Sequence, residues 1–76
     1  MASDALEIAR TRELLRDGRA KAIRLRAGLA RSEVARALSV DDSTVARWEA
    51  GVRIPRADAA VRYGRLLRDL ADLGLR

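Results

Sequence analysis

Only three residues, Ser39-Val40-Asp41, separate two stretches that both carry apolar side chains at helical spacing. The first, about residues 31–38, presents Val34, Ala35 and Leu38, and the second, about 42–50, presents Val45 and Trp48. A link that short holds two helices against each other at a steep angle, which calls for a small residue at the crossing and an apolar plug at the corner. Ala35 and Val40 meet those needs. Asp41 stands where a carboxylate can accept from the free amides near Ser43 and Thr44, so its side chain is expected to cap the second helix. Gly51 follows at a position suited to the left-handed conformation that stops a helix.

The rest of the chain also reads as helices and turns, because no segment alternates apolar and polar residues strongly enough for a strand. A first helix, about residues 3–17, starts at Ser3 or Asp4, with Glu7 completing a capping-box-like start, runs through Ala5, Ile8 and Leu15, and ends at Asp17-Gly18. A second spans about 19–27, burying Ala20, Ile23 and Ala27 and stopping at Gly28. One kinked helix across both is the alternative. Val52-Arg53-Ile54-Pro55 forms a loop, and a last helix, about 56–73, turns Ala60, Tyr63, Gly64, Leu67 and Leu70 inward. The expected fold class is therefore all-α, a compact four- to five-helix bundle. With 76 residues it makes one domain, 1–76, around one small core.

The sequence has no Cys and no His, which removes disulfides, thiol nucleophiles, Cys/His metal sites and the commonest general base. No catalytic residue, metal or cofactor is expected. Apolar runs are short and no leader pattern is visible, so a cytoplasmic protein is expected. The net charge is +5, and the excess sits in the middle: residues 18–56 carry nine basic and four acidic side chains. Such a balance fits nucleic acid, an acidic membrane surface, or a merely solvated face. All but one of the 16 cations are Arg, which suits bidentate contacts to phosphate or guanine and equally fits a GC-rich coding bias.

Taken in order, Ile23-Arg24, Ala27-Gly28-Leu29, Glu33-Val34-Ala35, Ser39-Val40-Asp41-Asp42-Ser43-Thr44-Val45 and Trp48-Glu49-x-Gly51-x-Arg53-x-Pro55 resemble the Cro/cI-type helix-turn-helix repressors, also called the xenobiotic-response-element family. The resemblance covers about Arg19 to Leu67. It implies a lambda-repressor-like bundle, here with an extra N-terminal helix, in which residues about 31–50 form the helix-turn-helix. It also implies a partly buried ion pair between Arg24 and Glu49.

Double-stranded DNA is the partner this implies, since a two-helix corner lets one helix enter a major groove about 12 Å wide while the other crosses the backbone. By resemblance Asp42, Ser43 and Arg47 face base edges, and Arg47 can donate twice to guanine N7 and O6. Asp42 departs from the Gln, Arg or small polar residue usual in the family. Its carboxylate either accepts from cytosine N4 or only favours the helix N-terminus. Arg31 and Arg53 are the expected phosphate clamps, with Thr44 and Arg56 as weaker candidates.

Leu66, Leu70, Leu73 and Leu75 on or after the last helix either form a homodimer interface or cover the core together with Leu6, Ile8, Leu14 and Leu15. A small-molecule ligand is not expected. The function these features point to is a sequence-specific transcriptional regulator, a repressor in the manner of a phage Cro. The alternative is an interaction module such as an antitoxin, which binds a partner protein and touches DNA secondarily. A membrane or RNA surface is a further rival, opposed by Asp41, Asp42 and Glu49 within the basic segment and by having only Trp48 and Tyr63 as aromatics.

Overall fold

A computed structural model describes residues 3–74 as five α-helices in the order α1 (Ser3–Arg16), α2 (Arg19–Arg26), α3 (Arg31–Leu38), α4 (Asp42–Glu49) and α5 (Ala57–Leu73). Leu75 lies outside the described residues. Among those residues there is no strand, and the all-α bundle expected from the sequence is what forms.

The breaks between helices follow local chemistry. Between α1 and α2, Gly18 adopts φ 85°, and the Asp17 carboxylate accepts from the Arg19 amide at 3.0 Å and from Arg19 Nε at 2.7 Å. The Arg19 amide, aided by its guanidinium, holds the Asp17 carboxyl below its usual range. The chain therefore makes two helices here, not one kinked helix. Asp4 sits inside the first turn of α1, and the Glu7 carboxylate pairs with Arg68 on α5, so the expected capping box is not formed. Glu7 is drawn away because α5 lies alongside and offers a guanidinium.

The corner between α3 and α4 closes without glycine. Ser39 takes the left-handed conformation, φ 59° and ψ 44°, and the Val40 amide donates to the Ala35 carbonyl at 2.9 Å. Val40 is half-buried against the core, as a corner plug must be. Asp41 caps α4 through its main chain only: its carbonyl accepts from Thr44 at 2.9 Å and Val45 at 3.3 Å, and its carboxylate makes no capping bond. The Thr44 amide proton is already given to that carbonyl, which removes one of the two donors expected for the carboxylate. At the start of α3, Glu33 reaches back to the Ala30 amide at 2.8 Å.

The core gathers Leu15 from α1, Ala20 from α2, Val34, Ala35 and Leu38 from α3, Val45 and Trp48 from α4, and Ala59, Tyr63 and Leu67 from α5. Trp48 and Tyr63 pack with ring centroids 5.9 Å apart. Ala27 is exposed, contrary to expectation, because it is the C-cap of α2 and has turned off the buried face. Leu6 is likewise 60% exposed, so it does not cover the core. Helix α1 instead seats itself on α5 through Thr11, fully buried, and Gly64, where a Cβ would collide with Glu7 and Thr11. That close approach is why a glycine sits in the middle of the inward stripe.

Candidate functional site

Helix α4 buries Val45 and Trp48 and leaves Asp42, Ser43 and Arg47 exposed, a consequence of its 3.6-residue period. Its orientation is set from inside. Arg24 Nε and Nη2 donate to the two Glu49 carboxylate oxygens at 2.7 and 3.0 Å, and Nη1 donates to the Leu29 carbonyl at 2.9 Å. The two side chains are 7% and 5% exposed. The hydrogen bonds to Glu49 outweigh desolvation and raise the Arg24 pKa, so the guanidinium stays charged. One buried, bidentate pair thus ties α2 and the loop before α3 to the end of α4.

The exposed face carries two distinct groupings. At the start of α4, Arg31 Nε lies 4.0 Å from Asp42 Oδ1, with side chains 50% and 59% exposed. Further along, Thr44, Arg47, Arg53 and Arg56 line one cleft of about 320 Å³ between α4, the 51–56 loop and the start of α5. Arg62 and Asp58 line it too. The structure therefore brings four of the candidate contact residues together and leaves Arg31, Asp42 and Ser43 outside that cleft. Arg62 was not legible as a candidate, because only the folded arrangement of α4, the 51–56 loop and the start of α5 brings it to the cleft that Arg47 lines.

The loop between α4 and α5 starts at Gly51, φ 78°, and its first amides fold back on α4: Val52 and Arg53 both donate to the Arg47 carbonyl, at 3.0 and 3.3 Å. Arg12 of α1 holds the far end, donating from Nε and Nη2 to the Pro55 carbonyl at 3.2 and 2.9 Å. No local sequence signal announces this contact, since the partners are 43 positions apart.

Tyr63 is fully buried behind α4, and its hydroxyl finds no hydrogen-bond partner among the described residues. Burial pushes its pKa up to about 12, with Glu49 adding to the rise and Arg24 opposing it. Of the C-terminal leucines, Leu66 packs against the core, whereas Leu70 and Leu73 join Ile23 and Leu29 around an apolar groove of about 620 Å³. No helix among the described residues is long and apolar enough to cross a membrane.

A profile of the helix-turn-helix family matches residues 21–73. No curated protein and no solved structure matches the chain.

Proposed function

Since the chain belongs to the Cro/cI-type helix-turn-helix family, and so is a DNA-binding regulator, we propose that it reads a specific operator in double-stranded DNA and represses transcription by occupying it in the cytoplasm. The observation that carries this reading is the exposed face of α4 beside a cleft lined by Thr44, Arg47, Arg53 and Arg56. An α-helix fits the major groove, and guanidinium groups along its flank neutralise phosphates. In this reading Arg47 and Ser43 contact base edges, Arg53 and Arg56 hold the backbone together with Thr44, and Arg31 clamps a phosphate at the other end of α4. Asp42 starts the helix and keeps Arg31 company.

Two copies would pair through the groove lined by Leu70 and Leu73, giving half-sites about 34–36 Å apart. Leu66 has little part in this, being engaged with the core. The same groove supports the second reading, an antitoxin-type module that holds a partner protein there and uses DNA for autoregulation.

Selection from randomised duplexes at about 150 mM salt tests the proposal, because non-specific binding fades there while base contacts persist. A palindrome is expected. On the selected site, Arg47→Ala should relax preference at one base pair by roughly 1–3 kcal/mol, while Arg53→Ala weakens all sequences alike. Absence of any enriched sequence would move the assignment to the partner-binding module.

A further inference from the structure

Helix α1 stands outside the matched segment 21–73, yet it makes the longest-range contact to the loop that carries Arg53. The two ends of that loop are held differently. Its start is tied by main-chain bonds to the Arg47 carbonyl, and its end by the forked guanidinium of Arg12 on the Pro55 carbonyl. Although the Val52 and Arg53 amides belong to the first anchor, the loop's side chains stay outside the core: Val52 and Ile54 are 72% and 68% exposed, and Arg53 is exposed with them. Among the described residues no other side chain hydrogen-bonds to the backbone of residues 51–56. Pro55 itself is buried, whereas a cleft of about 210 Å³ lies between Arg12, Leu15 and Arg16 of α1 and Gly51, Arg53 and Ile54.

We infer that Arg12 is a positioning residue for DNA binding: by fixing the Pro55 carbonyl it holds the loop in the shape that presents Arg53 to a phosphate. This rests on the DNA-binding reading above. Without the Arg12 donors the exposed part of the loop would no longer hold Arg53 in one place. The Arg53 contact to a phosphate would then have to be ordered at the moment of binding and would be lost in most of the bound population. Two donors from one planar group on one carbonyl restrict the loop more than a single flexible bond does. Helix α1 thereby serves the interface without touching DNA.

The test is a double-mutant cycle on a mixed-sequence duplex of about 20 base pairs, followed by fluorescence anisotropy between roughly 50 and 200 mM salt. Arg12→Ala should weaken binding roughly fivefold and lower the salt slope by about 0.9, the signature of one lost phosphate contact. Arg12→Ala combined with Arg53→Ala should bind no more weakly than Arg53→Ala alone, since both remove the same contact. Arg12→Lys, which keeps a donor for Pro55, should recover most of the affinity, and Arg16→Ala, one turn further along α1, should leave the slope unchanged. Should circular dichroism find Arg12→Ala unfolded, Arg12→Gln, too short to reach Pro55, takes its place in the cycle. Additive losses, an unchanged slope, or equal effects of Arg12→Ala and Arg16→Ala would overturn the positioning role while leaving DNA binding intact. Failure of the unmodified protein to bind the duplex at any salt would instead sink the DNA reading, and the positioning role with it.

Discussion

Arg24 and Glu49 meet at the C-terminal end of α4 with side chains 7% and 5% exposed, whereas Arg31 and Asp42 meet at its other end 4.0 Å apart and at least half exposed. Each is a guanidinium facing a carboxylate, and the consequences are opposite. Inside, both charges have left water, and their remaining donors and acceptors must be met within the fold, as the Leu29 carbonyl does for Arg24. Outside, water solvates both partners, salt screens them, and holding two long side chains together gains little. The inner pair therefore sets where α4 points, and the outer pair leaves both groups free to exchange partners. An interface needs that freedom on the side that meets its ligand.

The inner pair is the place to break this contrast. Glu49→Ala or Arg24→Ala should each cost about 3–5 kcal/mol, because each strands the other charge. Replacing both, as Arg24→Met with Glu49→Leu, should recover most of that loss. Urea unfolding of the three variants decides it. A single-variant cost below about 1 kcal/mol would mean that the buried pair behaves like an exposed one and that α4 is oriented by packing alone.

Much of this arrangement is legible in the amino-acid sequence. The α3–α4 corner follows from Ala35, Val40 and a three-residue link, all of them neighbours in the chain, and the bounds of α3 follow from its apolar spacing. The Arg24–Glu49 contact was implied by the family resemblance; periodicity alone would have made Arg24 a solvated cation. Other features depend on which helices become neighbours. Glu7 looked like a cap until α5 supplied Arg68, and nothing in the sequence marks Thr11 as the residue that Gly64 comes against. Thr44, Arg47, Arg53 and Arg56 were candidates one by one, but their shared cleft depends on how the 51–56 loop folds back beside α4. Arg12 was invisible for the same reason. Ser39 concealed a left-handed turn that glycine would have announced.

Tyr63 sharpens the comparison, because it extends the dry end of α4 to a hydroxyl with no hydrogen-bond partner among the described residues. Its phenol is held neutral in the folded protein up to about pH 12, while in the unfolded chain it ionises near its ordinary value of 10. A raised acid pKa means the folded state keeps a proton that the unfolded state has lost. Stability should therefore fall as pH rises above about 10, by roughly 1 kcal/mol at pH 11 and more toward 12. Tyr63→Phe should remove that decline and cost little at neutral pH, since the hydroxyl makes no bond to lose. Denaturant melts of both proteins between pH 8 and 11.5 measure it. Parallel declines would assign the titration to another group.

At the wet end of α4 the expected effects are small on stability and larger on binding. Asp42→Asn removes one charge from an exposed pair and from a helix N-terminus, contributions of about 0–1 and 0.3–1 kcal/mol, both weakened by salt. Unfolding free energy should thus drop by less than about 1 kcal/mol. DNA affinity should rise for every duplex alike, because a carboxylate no longer faces the phosphates and Arg31 loses its competing partner. Titrations of matched and singly substituted sites separate this from base reading. If Asp42→Asn instead shifts preference at a single cytosine-bearing pair, the carboxylate reads that base, and the loose pairing with Arg31 is what leaves it free to do so.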